Sequence, residues 1–269
     1  MVKIVAMGDP HGNINKIKKI PLRNSDFILI TGDFGKADFA RKRFFENVVR
    51  KDKGLEELEY TAKDNKKAYM EIFGSTIDIL KYTSKFASTY SILGNVGMDM
   101  VYDSNVRKQE KKYGLKLPSL RQNMNKIKDF YFVRNVVRNL GGLRVGFLEY
   151  FVDVCWFEEF GVRDKKKIKK AKKETAKAKK ILKNFKNLDI LVCHQPPFGY
   201  LDKVSGKYGA PKNYIGKHAG SKVILDYIKK YEPRYVFCGH IHEGEGKVKM
   251  GQSEIYNLGV AGHKIVNFK

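Results

Sequence analysis

A chain of 269 residues with 42% hydrophobic content can bury a sizeable core, and that apolar share excludes an intrinsically disordered polypeptide. Its formal charge of +24 predicts attraction to anions such as nucleic acid or phosphorylated substrates, although the excess is nearly all lysine and is spread along the chain. No apolar run nears 18 residues, the first residues do not read as a signal peptide, and Cys155, Cys193 and Cys238 make no disulfide framework, so no membrane partner and a reducing cytoplasm are expected.

The chain begins with an apolar run at 2–7, a predicted strand that gives way to the polar loop GDPHGN. A short helix is expected from about Asn13 to Ile20, then a second strand at 27–32 that ends on Asp33. This repeat of strand and carboxylate-bearing loop is an α/β layout, in which ligand groups gather at the carboxyl ends of strands. Residues 36–86 read as helical, with Phe44, Phe45, Val48 and Val49 on one face and Ile72, Ile79 and Leu80 on a second after Gly74. A third strand at 88–93 leads into Gly94–Asn95. Residues 97–130 are polar and mixed, and are expected to form an insertion or lid over a site. Phe130–Val137 and Leu143–Leu148 are predicted to pair across a Gly141–Gly142 turn.

Residues 163–183 carry 12 Lys or Arg against two acidic residues. Ile168, Ala171, Thr175, Ala178 and Leu182 recur every three or four positions, which predicts an amphipathic helix with a narrow apolar stripe. Its charged side is either a solvated face or a contact surface for a phosphate backbone. Further strands follow at 188–193, 235–239 and 253–259, and Ser221 is placed to cap a helix running to about Lys230. Phe151, Trp156, Phe157 and Phe160 form a satellite core, cover the edge of a site or meet another subunit. No linker or internal repeat divides the chain, so one domain over 1–269 is expected.

Four of the six histidines, His11, His194, His240 and His242, follow apolar strand-like runs directly or in the turn beyond. Asp9, Asp33 and Asn95 sit in the same kind of place. Two residues apart in an extended segment, Asp9 and His11 are expected to point the same way, and so are His240 and His242. Asp33 can offer an oxygen to each of two metals, while Asn95 adds a neutral amide oxygen. Carboxylate, amide and imidazole donors suit manganese, iron, nickel, cobalt or zinc, and the lack of thiolate argues against a soft-metal or iron–sulfur centre.

The ordered set Asp9-x-His11, Gly32–Asp33, Gly94–Asn95, His194 and Gly239–His240–Ile241–His242 resembles the calcineurin-like metallophosphoesterases. The text from His194 to Gly259 also looks like the archaeal and bacterial branch similar to cyclic-nucleotide phosphodiesterases. The resemblance implies a four-layer α/β/β/α sandwich of two mixed sheets flanked by helices. It implies two divalent ions, manganese foremost. One would take Asp9, His11, Asp33 and His242, and the other Asp33, Asn95, His194 and His240. A metal-activated water would then attack phosphorus in line.

The family's third motif continues with a histidine and an acidic residue. Here Val96 and Gly97 follow Asn95. The histidine that helps to protonate the leaving oxygen is therefore missing, which costs about 10²–10⁴-fold where general-acid help is needed. Good leaving groups evade that cost, so phosphodiesters with aryl or nucleoside-like leaving groups are the expected small-molecule substrates. His218, before the Gly220–Ser221 helix start, is the candidate replacement in a catalytic set with Asp33 and Asn95. His263, Asp99 and Tyr102 are weaker ones, and Arg107, Arg121 and Arg134 are candidate phosphate contacts. A nuclease using the basic surface, or a non-catalytic metal-dependent binding protein, is the alternative. Seven retained donors argue against outright loss, since uncompensated carboxylates repel. The oligomeric state is not legible.

Overall fold

The computed structural model describes residues 1–268. β1 (Val2–Met7) enters a one-turn helix, α1 (Ile14–Ile17), and β2 (Phe27–Ile30) follows. The helical stretch expected at 36–86 is two helices, α2 (Asp38–Asp52) and α3 (Ala62–Thr83). Gly54, at φ 68°, lets the chain turn left-handed after α2. Thr61 then starts α3 with a capping box: its hydroxyl accepts from the Asp64 N–H at 3.1 Å, and the Asp64 carboxylate accepts from the Thr61 N–H at 3.2 Å. Gly74 lies inside α3 and divides nothing.

β3 (Ser88–Ser91) precedes α4 (Asp103–Tyr113) and α5 (Leu120–Asn125). These two helices fill the 97–130 region, where Met100, Val101, Val106, Leu120 and Met124 bury their side chains in the same core as α3. The strand predicted at 130–137 splits. β4 (Phe130–Phe132) joins the first sheet, whereas β5 (Val136–Leu140) pairs antiparallel with β6 (Leu143–Leu148) in the second. Asn135, at φ 53°, lies where the chain crosses between sheets. The Gly141–Gly142 turn is as expected: both residues have positive φ, 59° and 87°, which a two-residue hairpin turn requires.

α6 (Val154–Glu159) and α7 (Lys165–Lys183) come next, followed by β7 (Ile190–Cys193), α8 (Lys222–Tyr231) and β8 (Tyr235–Cys238). Asp164 caps α7 by accepting from the Lys167 N–H, and Ser221 caps α8 by accepting from that of Ile224. The predicted stripe of α7 is buried at Ala171, Thr175, Ala178 and Leu182. β9 (Gly246–Met250), β10 (Ser253–Asn257) and β11 (His263–Phe268) finish the described chain. Neither β9 nor β11 is among the strands expected from the sequence; in β9 Lys247 and Lys249 flank the single apolar Val248.

The five-stranded sheet runs β11-β1-β2-β3-β4, and the six-stranded sheet runs β5-β6-β7-β8-β10-β9. Both are mixed: β11, β5 and β9 are antiparallel to their neighbours, and the other pairings are parallel. Alternation along the strands fixes the layers. Ile4 and Ala6 meet Phe147, Val192 and Phe237 between the sheets, while Val5 and Met7 face outward onto Ile17, Ile79 and Leu80 of the helices. On the far side, Leu191, Cys193, Val236 and Cys238 pack against Leu182 of α7 and Ile224 and Ile228 of α8. The result is a helix–sheet–sheet–helix sandwich of four layers. The three cysteines are free and buried, as small hydrophobes. Among the described residues no helix is long and apolar enough to cross a membrane.

Candidate metal centre

The two sheets bring the carboxyl ends of β1, β2, β3, β7 and β8 to one edge of the sandwich. Asp9, Asp33, Asn95, His194 and His240 leave these strand ends, and all seven predicted donors converge there.

Asp9 is fully buried. Its Oδ1 accepts from the Thr31 hydroxyl at 2.7 Å, and its Oδ2 accepts from the His240 backbone N–H at 2.6 Å. Asp33 Oδ1 accepts from the Val96 N–H at 2.7 Å. This leaves Oδ2 facing both sides of the cluster, 3.7 Å from His11 Nε2 and 3.5 Å from His194 Nε2. Oδ1 is thus engaged with the backbone, and Oδ2 is the Asp33 oxygen that would be free to serve ions on both sides of the cluster. Asn95 Oδ1 lies 3.0 Å from His194 Nε2 and 2.9 Å from His240 Nδ1. On the opposite side, His242 Nε2 is 3.1 Å from His11 Nε2 and 3.4 Å from Asp9 Oδ2.

The paired motifs do not act as extended strands. His11 and His240 have φ of 44° and 64°, and His242 begins a 3-10 turn. His240 consequently turns to Asn95 while His242 turns to His11, so the two point to opposite sides of the cluster. The expected common direction is corrected for His240 and His242, whereas Asp9 and His11 do reach the same side, their ligand atoms lying within 4.8 Å of one another. Asp33 also has positive φ, 39°. Such conformations are costly for residues with a Cβ and are kept where the surroundings impose them.

The glycines before Asn95 and His240 have a steric reason. A Cβ on Gly94 would overlap the Asp33 carboxylate and the His194 ring, and one on Gly239 would overlap the Asp9 carboxylate. Gly-Asn and Gly-His thus make room for buried acids that belong to other loops.

Electrostatics suit a cation. Burial pushes the Asp9 carboxyl up, but at the low pH where it titrates the surrounding imidazoles are protonated, and His194, a hydrogen bond from His242 and the charges of His11 and His242 outweigh burial and hold the group well below the usual carboxylate range. Burial, then the neighbouring His194, pushes the His240 imidazole down to about 3, and burial lowers His11. These rings are neutral near pH 7 and keep a lone pair to donate. His194 Nδ1 lies 3.0 Å from the Thr31 carbonyl, which can only accept, so Nδ1 carries the proton and Nε2 faces Asp33 and Asn95 as a bare donor. Two sets of potential ligands each fall within 4.8 Å: Asp9, His11 and His242, and Asp9, Asp33 and His194. Ionised carboxylates, neutral imidazoles and an amide oxygen without a thiol fit a pair of divalent ions.

His218 is not drawn into this cluster. Its Nδ1 lies 2.7 Å from the buried Asp202 carboxylate, and its ring leans on Phe198. His263 begins β11 opposite Met7 and is exposed. Arg134 makes a double ion pair with Glu149, at 2.8 and 2.9 Å, and lines a separate cavity of about 320 Å³ with Asp99 and Tyr102. Arg121 lines another, while Arg107 lies on the exposed side of α4.

Sequence reasoning missed three contributors: Thr31, whose only signal was its place before Gly32–Asp33; the Val96 N–H; and Tyr150. The Tyr150 ring stands 5.5 Å from those of both His194 and His240, and burial, then Asp33, raises its phenol to about 12. The cluster opens into a cleft of about 730 Å³ walled in part by Trp156 and Phe160. Both belong to a satellite core with Val204 and Ile241, so they pack a core and edge the site at once.

The profile of the family described as calcineurin-like phosphoesterase matches residues 2–244. The human metallophosphoesterase domain-containing protein 1 is 34% identical over 74 residues, 27% of this chain and 20% of that protein. A Caenorhabditis elegans protein, UPF0046 protein C25E10.12, is 27% identical over 79 residues, 29% of this chain and 26% of its own length. The matched segment thus spans about a quarter or less of these curated relatives. Among solved structures, the phosphopantetheinyl hydrolase of Mycobacterium tuberculosis has a TM-score of 0.53 at 11% identity, covering 96% of this chain and 89% of that one. Another crystal structure covers 99% of both chains with a TM-score of 0.57 at 15% identity. At such identities the likeness is one of fold.

Proposed function

The chain belongs to the calcineurin-like phosphoesterase family, and from that premise we propose that it hydrolyses phosphate esters, phosphodiesters foremost, with two divalent ions. Asp9, His11 and His242 would hold one ion, and Asn95, His194 and His240 the other, with Asp33 placed to serve both. The observation that carries this reading is Asp33 Oδ2, placed 3.7 Å from His11 on one side and 3.5 Å from His194 on the other. Two ions so held would polarise phosphoryl oxygens and lower the pKa of a bound water. Manganese is the ion proposed, the cytoplasm the location, and residues 1–269 the working domain. The branch similar to cyclic-nucleotide phosphodiesterases is the proposed kinship.

The residues of the chain act on position and on proton traffic. Thr31 orients two donors, giving a hydrogen bond to Asp9 and taking one from His194. The Val96 backbone fixes Asp33, but its side chain carries no proton for a leaving oxygen. His218 is committed to Asp202 and is not offered in its place. The substrate's leaving group must then depart with little help, which favours esters of acidic alcohols and phenols over alkyl monoesters. Among the described residues no lysine lines the cleft, which favours a small ester over a nucleic-acid strand.

A metal-by-substrate screen tests this. Bis(4-nitrophenyl) phosphate, 4-nitrophenyl phosphate, cyclic nucleotides and single-stranded DNA are offered with Mn, Fe, Ni, Co or Zn. Turnover is expected on the aryl diester first. Asp33→Asn, losing several kcal/mol of metal-borne stabilisation, should cut it by about 10³-fold or more. Failure to bind any divalent ion, with Asp33→Asn leaving the rates unchanged, sinks the proposal. Val96→His should bring in monoesterase activity.

A further inference from the structure

The cleft beside the metal centre is walled by rings rather than charges. From α6, Trp156 stacks on Phe160 with centroids 4.6 Å apart, and Tyr214 stands edge-on to Phe160 at 4.5 Å. From α2, Phe44 and Phe45 form a facing pair at 5.5 Å, and Phe44 leaves 62% of its surface in solvent. Among the described residues Arg41 is the one guanidinium in the lining, and it is engaged. It donates to the Tyr208 carbonyl and lies over the rings of Phe45 and Tyr208, at 5.5 and 5.9 Å. A chain of formal charge +24 thus keeps free cations out of the volume next to its phosphate-binding chemistry.

We propose that the organic arm of the substrate is an aromatic ring, of an aryl group or a nucleobase, seated between the Trp156–Phe160–Tyr214 wall and Phe44 and Phe45. This deepens the phosphodiesterase reading and rests on it. A volume of about 730 Å³ suits one small ligand and is too small for a folded polyanion. The choice of a ring over an alkyl chain follows from the wall. Ring faces and edges at offset and T-shaped angles offer a further ring favourable stacking that a chain lacks. The amphipathic residues Tyr208 and Tyr214 also line the cleft, and an alkyl chain would cover a phenol without pairing it. Position agrees: the Tyr208 ring stands edge-on to His242 at 5.4 Å, so the aromatic wall begins at a metal donor.

Trp156 is the only tryptophan of the chain, so its emission reports on the cleft directly and without turnover. The manganese-loaded protein is titrated with four phosphonates, whose carbon–phosphorus bond a hydrolase leaves intact. Their arms are methyl, octyl, phenyl and an adenine-bearing acyclic chain. A saturable change in emission is expected with the phenyl or adenine compound at concentrations at least about tenfold below those for methyl and octyl, and the tighter of the two identifies the ring source. Phe44→Ala, at an exposed position that leaves folding intact, and Tyr214→Ala should each weaken ring binding about 3–10-fold and leave methylphosphonate unchanged. Octyl binding as tightly as phenyl, or all four arms binding alike, overturns the proposal. Ring binding without hydrolysis of any ester would defeat the hydrolase reading alone. Hydrolysis that ignores the arm, with a silent Trp156, would defeat the ring site alone.

Discussion

Two regions of this molecule collect polar groups in opposite ways. At the metal centre, seven side chains converge on three buried ones, Asp9, Asp33 and His194, and each has a named partner within 3.7 Å. Along α7, eleven lysines stand with a single acid, and Lys170–Glu174 at 3.7 Å is the one ion pair of that helix among the described residues. The first region holds little of the chain's formal charge and the second holds much of it. What separates them is desolvation. A buried group acts through fixed neighbours in a low dielectric, whereas an exposed lysine is screened within about a Debye length. The net charge of the chain therefore describes α7 and says little about the site.

The hardest break in the centre comes from the backbone. Gly94→Ala places a Cβ onto the Asp33 carboxylate and the His194 ring, both buried and neither at the end of a flexible chain. Something must move by around an ångström. Displacement of that order costs about 10²-fold in rate, and kcat/KM on an aryl diester should fall at least that far while circular dichroism stays native. Unchanged activity would mean that the cluster is more pliant than its hydrogen bonds imply.

A milder break removes one orienting group. Thr31→Val keeps the shape and takes away the hydroxyl that holds Asp9 at 2.7 Å. Partners of this kind are worth about 10–100-fold in metal affinity. Calorimetric titration with manganese should show a loss in that range, and retention of full affinity would show that Asp9 is positioned by the His240 N–H alone.

Thr31 also marks where the sequence stopped being legible. The donors themselves could be read, because each follows an apolar run that must be a strand and because imidazoles and acids are scarce at strand ends. The α/β layout followed from strands and helices alternating along the chain, and the four layers from the resemblance that the motifs carry. Thr31, the Val96 N–H and the split of residues 130–137 between two sheets could not be read, since each depends on which loop lies against which after folding. The left-handed backbones of His11, Asp33 and His240 were hidden as well, because no residue type announces them. The aromatic cleft was legible only in part: Trp156 and Phe160 were placed at a site edge as one reading, but Phe44 and Tyr214 share no periodicity with them and join the wall only through tertiary packing.

Acid offers a graded test of the same contrast in the metal-free protein. The folded value of His240 is about 3 against 6.5 for the ordinary group, so between these values the unfolded chain binds the proton and the native chain does not. Stability is then full above about pH 6.5 and declines as the pH falls toward 3. Lowered His11 adds in the same direction. Thermal melting followed from about pH 7 to about pH 4 should lose several degrees, and His240→Asn should flatten the slope. An equal slope in the variant would place the acid sensitivity elsewhere.

The smallest effect is expected on α7, and it decides whether the two regions communicate. Lys166, Lys169, Lys173 and Lys180 fall on one exposed face, opposite the buried Ala171, Thr175, Ala178 and Leu182. Glutamine at all four keeps helix propensity and deletes four positive charges. The kcat/KM for a small aryl diester should stay within about twofold, because screened surface charges outside the cleft contribute little to a small ester's binding. Affinity for single-stranded DNA, if it resides on this helix, should fall with a shallower salt dependence, by about 0.7 in log–log slope for each phosphate that is no longer neutralised. A tenfold drop in small-ester turnover would show instead that the lysine field reaches the metal centre, and would move the balance of substrates back toward nucleic acid.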